Sequence, residues 1–238
     1  MKIALTDERI STKCERGLML RGFRVLKMPR CSDLPEAMCS HPDMLMFAHK
    51  KRIITSAEYC DIADFTFSEL SAHISGIFFT FTVDKLGKEY PSDCIFNALV
   101  IGDKMFCKAD TASRAVTEYA RMAGLKVIKV KQGYPACTVL PLGDKAAITS
   151  DRGMAAALRA EGIRTTVIDD GGIILPPYDF GFIGGAAGVF RDTVYFLGDI
   201  DTHPSSSLIK QAISDEGMLY ESLSDEPLFD LGRIIFYE

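Results

Sequence analysis

The chain has 238 residues, of which 47% are hydrophobic and 25% are charged, and its formal net charge at pH 7 is −5. This balance indicates a globular protein with a sizeable core, and an acidic chain without a basic stripe is not expected to bind nucleic acid. The longest apolar runs are far shorter than the roughly 18 residues that span a bilayer, so we expect one cytoplasmic domain over residues 1–238 and no membrane partner.

In chain order, the predicted elements repeat one unit of strand, turn, strand, helix and strand. The two ends, Met1–Leu5 and Arg233–Tyr237, are predicted strands without a hairpin. Between them lie four predicted hairpins, Met44–Thr55, Asn97–Lys108, Cys137–Thr149 and Gly188–Gly198. Helical apolar spacing predicts helices over Thr111–Met122 and Arg152–Ala160, with Asp110 and Asp151 as N-caps, and Pro204 is expected in the first turn of another helix.

A glycine ends each helical stretch and is followed at once by an apolar strand. The five copies are Gly22, Gly76, Gly124, Gly162 and Gly217, spaced 38 to 55 residues apart. Glycine suits this place because helices commonly end in a left-handed residue, and such a period is typical of solenoids and propellers. The lone terminal strands favour a closed ring in which Arg233–Tyr237 pairs beside Lys2–Leu5 and removes the open sheet edges.

Three segments carry a family resemblance. His41–Phe47 and Tyr90–Phe96 are similar to the proline-aspartate strand that opens the deiminases, and Phe182–Gly188 stands where related enzymes carry Glu-Gly-Gly-Asp. The chain thereby resembles the pentein, or guanidino-group-modifying, superfamily of arginine deiminase, dimethylarginine dimethylaminohydrolase, the amidinotransferases and the ribosome anti-association initiation factor. The resemblance implies an α/β fold of five blades, a propeller closed by its terminal strands, with a central polar pocket.

The departures from that family concern its chemistry. Both acidic positions of the Gly-Gly motif are apolar here, as Ile183 and Ala186. The family's nucleophile lies in the last blade, where Asp230–Ile235 contains no cysteine, and no cysteine follows Cys137. The resemblance therefore implies the fold and the place of a pocket, and it leaves open whether the chain is an enzyme.

Cys137 is the candidate nucleophile. The seven cysteines lack paired metal-type spacings and are expected to be reduced thiols. Cys137 begins the first strand of its blade, which would line the channel, and a lysine or histidine nearby would lower its pKa and favour the thiolate. The alternative is a buried structural thiol.

Other polar residues are expected around the same channel. His41 and Asp43 are two apart, so on a strand they would face one side as a base and its orienting carboxylate, or else they satisfy a turn. Asp93 and Asn97, one blade later, would bind a cationic ligand or cap loop amides.

A loop before Cys137 supplies further candidates. Lys131, Gln132 and Tyr134 would donate to a carboxylate ligand, or they form a solvated loop. We expect Asp43, Asp93 and Cys137 to converge on one pocket. Repulsion and burial would then raise the pKa of at least one of the acids unless a cation, Lys131 or a ligand, compensates.

The cluster Asp199, Asp201 and His203 has metal-ligand chemistry, but adjacent residues of one short loop rarely complete a metal site. Helix capping is the favoured interpretation, and neither a metal nor a cofactor is predicted.

Two functions remain open from the sequence. One is an enzyme that acts on guanidino or amidino compounds through Cys137, with a small-molecule, cationic ligand in a central pocket. The other is a binding module without catalysis, whose partner is the ribosome or a protein.

Overall fold

The structure, a computed structural model, describes residues 1–238 as a mixed α/β fold. In chain order the strands are β1 (Lys2–Asp7), β2 (Phe23–Met28), β3 (Met46–His49), β4 (Arg52–Ser56), β5 (Phe78–Thr82), β6 (Leu99–Ile101), β7 (Lys104–Cys107), β8 (Lys126–Lys129), β9 (Val139–Leu142), β10 (Ala146–Thr149), β11 (Arg164–Val167), β12 (Ile173–Ile174), β13 (Ala187–Phe190), β14 (Thr193–Phe196), β15 (Leu219–Ser222), β16 (Leu228–Phe229) and β17 (Ile235–Tyr237). The helices are α1 (Thr12–Leu20), α2 (Pro42–Leu45), α3 (Ala57–Ile62), α4 (Asp64–His73), α5 (Arg114–Met122), α6 (Pro135–Thr138), α7 (Arg152–Ala160) and α8 (Ser206–Asp215). Two 3-10 turns lie at Glu36–Met38 and Ile200–Thr202.

Most strands belong to three-stranded sheets, and the strands follow the same order in each of these sheets. The sheets are β17-β1-β2, β3-β4-β5, β6-β7-β8, β9-β10-β11 and β13-β14-β15. In each sheet the middle strand pairs antiparallel with the first strand of that order and parallel with the last. A helical connection joins the middle strand to its parallel neighbour. The remaining strands, β12 and β16, form a small parallel pair. The five sheets therefore share one strand order and one pattern of pairing.

The two ends of the chain share a sheet. β1 pairs antiparallel with β17, with Ile3 opposite Tyr237 and Leu5 opposite Ile235. This confirms the predicted pairing of the terminal strands. β1 consequently has a hydrogen-bonded neighbour on each side, like the middle strands of the other four sheets.

The helix ends agree with the sequence at their C-termini and differ at two N-termini. Each of the five helix-ending glycines has a positive φ, between 69° at Gly217 and 83° at Gly22. Asp151 caps α7 as expected, because its Oδ1 accepts from the Met154 N–H at 2.8 Å.

Two expectations about helix starts are wrong. Asp110 does not cap α5, because the chain first makes a turn and Ser113 then accepts the capping bond. Pro204 precedes α8 rather than lying in its first turn, since Ser205 is the cap and the helix begins at Ser206.

Short helices stand where two first strands were expected to begin. Pro42 opens α2 and Pro135 opens α6, so Asp43 and Cys137 lie in helical turns that lead into β3 and β9. Proline's fixed φ suits the first position of a helix as well as the entrance to a strand, which is why the pattern did not distinguish them. Both turns pack into the interior, and Cys137 belongs to the largest apolar cluster together with Met44 and Phe96. None of the helices combines the length and apolar character that a membrane crossing requires.

Candidate functional site

The thiol of Cys137 has two buried polar partners. Its Sγ donates to Asp43 Oδ2 at 2.9 Å and accepts from Asn97 Nδ2 at 3.2 Å. The same Asn97 amide donates to the Asp43 carbonyl, and its Oδ1 accepts from the Ala136 N–H at 2.8 Å. Asn97 therefore ties α2 to α6 and fixes the distance between the carboxyl group and the thiol. The structure thus brings Asp43 and Cys137 into contact, as expected, and adds Asn97, which was not expected to join them.

The pKa values of Asp43 and Cys137 differ from those expected around a reactive cysteine. Burial raises the pKa of Asp43 to about 6, although the hydrogen bond from Cys137 and the charge of Arg233 act in the opposite direction. Burial also raises the pKa of Cys137 well above its usual value, and the negative charge of Asp43 adds to this effect. Neither a lysine nor a histidine bonds to the sulfur, so the predicted lowering of its pKa is absent. Cys137 is a protonated thiol at neutral pH.

Asp230 is a second buried acid beside Cys137 that the sequence reasoning did not select. Its Oδ2 accepts from the Phe182 N–H at 2.8 Å and its Oδ1 from the Gly232 N–H at 3.1 Å. Burial is the main reason that its pKa is raised to about 7. The Gly-Gly segment leaves room for it, since a Cβ on Gly185 would lie 1.9 Å from Asp230 Oδ1. The signal in the sequence is the aspartate that begins Asp230–Ile235, a segment noted above only for its missing cysteine.

Cys137 and Asp230 line a cavity of about 390 Å³, here called the Cys137 cavity. The other lining residues are Met38, His41, Gln132, Tyr134, Leu175, Tyr178, Asp179, Phe180 and Phe182. Tyr178 and Asp179 are exposed, whereas Cys137 and Asp230 are buried. The cavity therefore combines aromatic walls with a thiol and one carboxyl group at depth and a second carboxyl group near solvent.

Asp43 lines a different cavity of about 290 Å³, here called the Arg233 cavity. Arg233 lines it too, next to Ala136, and no residue lines both cavities. The hydrogen bond between Cys137 and Asp43 thus lies between the two spaces. Arg233 is the cation close to the pair, because its charge lowers the pKa of Asp43.

His41 lies near the site without the partner that was expected. It precedes α2, and both of its ring nitrogens are buried without a hydrogen-bond partner. Its Nε2 is 3.7 Å from Asp7 Oδ2, and burial lowers the pKa of His41 to about 4. The predicted orientation of His41 by Asp43 is therefore not formed, because the helical turn of α2 replaces the strand that would have aligned them.

Asp93 is not part of the Cys137–Asp43 contact. Its Oδ2 accepts from the Tyr134 hydroxyl at 2.6 Å, and it lines neither cavity. Burial raises the pKa of Asp93. The three residues therefore do not converge on one pocket. Asp43 and Cys137 are in contact but line different cavities, and Asp93 is linked to the Cys137 cavity only by its bond to Tyr134.

The residues of the loop before α6 lie in two different environments, the Cys137 cavity and the exposed surface. Gln132 lines the Cys137 cavity, but its Nε2 donates to Asp151 Oδ2 and its Oε1 accepts from the Tyr134 N–H, so both ends of the amide have protein partners. Lys131 is exposed and does not line either cavity. The expectation that Lys131 is the compensating cation is wrong, and Arg233 has that place.

The cluster around Asp199 is occupied by local bonds. Asp199 caps the 3-10 turn Ile200–Thr202 by accepting from the Asp201 N–H, and His203 Nδ1 accepts from the Ser205 N–H at 3.0 Å. Asp201 forms an ion pair with Lys210. These contacts agree with the capping interpretation.

Comparison of the sequence with protein families gives one match. The model of a family of unknown function, DUF6873, covers residues 5–235. No curated protein matches the sequence.

Several solved structures are similar in fold. An amidinotransferase of the saxitoxin pathway from Microseira wollei is 11% identical, with 87% of this chain and 72% of that chain covered and a TM-score of 0.53. A dimethylarginine dimethylaminohydrolase from Pseudomonas aeruginosa, complexed with citrulline, is 12% identical, with 94% and 91% covered and a TM-score of 0.54. Inosamine-phosphate amidinotransferase from Streptomyces griseus is 14% identical, with 92% and 76% covered and a TM-score of 0.51. At these identities the similarity shows a shared fold and nothing about activity.

Proposed function

The chain belongs to the DUF6873 family, and we propose that it binds a cationic guanidino or amidino compound in the Cys137 cavity. The observation that carries the proposal is the composition of that cavity. Asp230 and Asp179 supply carboxylates, and Tyr134, Tyr178 and Phe182 supply aromatic faces. A planar cation is attracted by both kinds of group, through charge-assisted hydrogen bonds and through the ring faces.

The volume of the cavity fits a small organic molecule. At about 390 Å³ it lies within the range of roughly 300–1,000 Å³ usual for ligand pockets. The guanidinium group would lie at depth, where Asp230 is buried, and the remainder of the ligand would extend towards Tyr178 and Asp179 at the exposed side. The printed names of the structural neighbours, two amidinotransferases and a dimethylarginine dimethylaminohydrolase, agree with this ligand class.

The five sheets are the blades of a propeller around this site. Their common strand order and the pairing of β1 with β17 support a closed ring. A ring also accounts for residues distant in sequence, such as Asp43, Cys137 and Asp230, lying together, because equivalent segments of successive blades meet around one axis.

The hydrogen bond between Cys137 and Asp43 supports a chemical step as well. With a cation bound, Sγ attacks the amidinium carbon and its proton passes to Asp43 Oδ2. The carbon–nitrogen bond breaks as the leaving amine takes a proton from Asp230, whose pKa of about 7 makes both of its forms available at neutral pH. Water then adds to the carbon and gives a proton to Asp230. The sulfur leaves and regains its proton from Asp43, and the hydroxyl proton of the addition product passes to solvent. The released product is a ureido compound from a guanidine or an amide from an amidine.

Binding without catalysis is the second candidate, and the raised pKa of Cys137 favours it. In the chemical proposal the bound cation has to offset this rise, because a positive charge beside the sulfur favours the thiolate. The two candidates share one ligand class and differ only in turnover.

A ligand screen followed by product analysis tests both. We expect arginine, agmatine or acetamidine to raise the melting temperature, and the neutral ureido compound citrulline to have a smaller effect. Asp230→Asn should reduce the shift at least severalfold, whereas Asp144→Asn, in an exposed hairpin turn, should leave it unchanged. Equal shifts in the wild type and in a folded Asp230→Asn variant would contradict the proposed site.

Product analysis then separates the two candidates. Release of ammonia or amine that is lost in Cys137→Ser and retained in Cys107→Ser, another buried thiol, indicates catalysis. A saturable shift in the wild type without any release indicates binding alone.

A further inference from the structure

Arg233 has a backbone conformation that is unusual for a residue other than glycine. Three residues other than glycine have a positive φ, Lys50, Arg191 and Arg233. Lys50 and Arg191 lie in the turns of hairpins, where this conformation is usual. Arg233, with φ of 61°, lies just before β17 and outside any hairpin turn. A side chain in this region strains the backbone, and such strain is found mainly at functional positions.

The guanidinium of Arg233 also lacks a hydrogen-bond partner within the protein, although the charge of Asp43 acts on it. It donates no hydrogen bond to the chain, and no carboxylate lies within 4.0 Å of it. Only its backbone N–H is bonded, to the Gly185 carbonyl at 2.9 Å. A guanidinium carries five N–H donors in a fixed fork, and removing such a charge from water without a partner is costly. Arg233 is only partly exposed and lines the Arg233 cavity, so an anion in that cavity would satisfy it.

The remaining lining of the cavity limits the kind of anion. Its wall is mainly apolar, with Phe96, Val100, Pro141, Val189 and Ile235 among the contributors. Lys50 and His49 lie on the same lining, and Lys50 is exposed. Asp43 is the cavity's one acid; its Oδ2 accepts from the thiol of Cys137, and its Oδ1 is buried without a hydrogen-bond partner. The N–H donors of the Arg233 guanidinium suit a carboxylate group, and the apolar lining suits a short carbon chain attached to it. A phosphate is usually held by several cations or by a row of backbone N–H groups.

We propose that the Arg233 cavity binds a small aliphatic monocarboxylate, with the carboxylate on the Arg233 guanidinium and the carbon chain on the apolar wall. The volume of about 290 Å³ accommodates such a molecule. This site is separate from the Cys137 cavity, and the proposal does not depend on the guanidino or amidino ligand proposed there.

The test compares butyrate with butyramide, which has the same shape without the charge, at constant ionic strength. Isothermal titration should give saturable binding of butyrate and little binding of butyramide or of inorganic phosphate. Arg233→Gln should weaken butyrate binding about tenfold or more, because charge-assisted hydrogen bonds are lost. Lys50→Gln, which removes an exposed charge, should weaken it only about twofold to fivefold.

A second variant keeps the test decisive if Arg233→Gln does not fold. Ala48→Leu reduces the space of the cavity while leaving Arg233 in place, and it should abolish butyrate binding. The same variant should keep its response to agmatine, which separates this site from the Cys137 cavity. Butyramide binding as tightly as butyrate, or unchanged butyrate affinity in a folded Arg233→Gln or Ala48→Leu variant, would overturn the proposal. Tighter binding of phosphate than of butyrate would overturn the carboxylate assignment.

Discussion

The thiol of Cys137 donates a 2.9 Å hydrogen bond to Asp43 Oδ2, although the two residues are 94 positions apart in the sequence. Each lies in a four-residue helix that proline opens, and Asn97 bonds to both. Because the carboxyl group is buried beside the sulfur, the thiolate is disfavoured until a positive charge enters the site.

The raised pKa of Cys137 predicts a slow thiol. Without a ligand at pH 7, Cys137 should react with iodoacetamide on the order of tenfold more slowly than the partly exposed Cys60, since reactivity follows the thiolate fraction. Mass spectrometry of the labelled peptides at successive times measures both rates in one sample. Modification of Cys137 before Cys60 would show that the buried thiol is already activated.

Asn97 holds the two short helices together, so Asn97→Ala should destabilise the fold by about 3 kcal/mol. The substitution leaves the Ala136 N–H and the Asp43 carbonyl buried without a partner, and each such group costs about 1–3 kcal/mol. Urea denaturation measures the change. Gln211→Ala, which removes an exposed amide on α8, should change the free energy of unfolding by less than about 0.5 kcal/mol. Similar losses in both variants would contradict the role of Asn97.

The raised pKa of Asp230 predicts that the free energy of unfolding depends on pH. Its pKa is about 7 in the folded chain, above its ordinary value of 3.8, so the folded state binds the proton more tightly. The free energy of unfolding that this group contributes is therefore complete below about pH 4 and is lost as the pH rises to about 7. Relative to Asp230→Asn, the wild type should lose up to about 4 kcal/mol across this window.

Denaturation of the two proteins at several pH values provides the measurement. Asp43 and His41 also titrate in this range, with pKa values of about 6 and 4, but both are present in the two proteins and largely cancel in the difference. A difference that stays constant with pH would mean that Asp230 titrates normally.

The close approach of Gly185 to Asp230 predicts that Gly185→Ala disturbs the site. The added Cβ would meet Asp230 Oδ1 at 1.9 Å, so the carboxyl group has to move away from the N–H groups it accepts from. We expect a loss of about 1–3 kcal/mol in stability and weaker binding of agmatine. Gly153→Ala is the matched control, because it lies in α7 with its nearest contact, Asp151 Oδ1, at 3.1 Å. If Gly185→Ala binds agmatine like the wild type, Asp230 is not the carboxylate that holds the cation.

Removal of residues 233–238 should abolish cooperative unfolding. The deletion takes away β17, so β1 loses its antiparallel partner and the apolar residues Ile3 and Leu5 lose their neighbours Tyr237 and Ile235. Deletion of Glu238 alone, which carries only an exposed ion pair with Arg191, should leave the melting transition almost unchanged. A native-like transition in the longer deletion would contradict the importance of the terminal pairing.

The strand order of the five sheets could be predicted from the sequence because each corresponding segment carries the same local signals. The left-handed glycines, the hairpin turns and the half-units at the ends depend on short-range sterics, and the structure has them where the sequence placed them. The contact between Asp43 and Cys137 followed from their equivalent places in the repeats.

The remainder of the site depends on long-range packing that no local pattern reveals. His41 and Asp43 were expected to share one side of a strand, but the residue after His41 is a proline that begins a helical turn, and the alternation is lost. Asp230 and Arg233 lie near Asp43 and Cys137 only because the C-terminal segment packs against the two short helices. Lys131 points to solvent because the direction of a side chain in a loop is set by tertiary contacts, not by its neighbours in sequence.

The shared sheet of β1 and β17 also sets an order of events during synthesis. β1 leaves the ribosome more than 200 residues before its partner β17. At roughly 5–20 residues per second, one edge of β1 stays open for about 10–50 s while the other four sheets are made. Factors that shield hydrophobic strands on nascent chains would therefore act longest on Ile3–Leu5, and slow translation of the final segment would prolong the time in which this edge can pair with another chain.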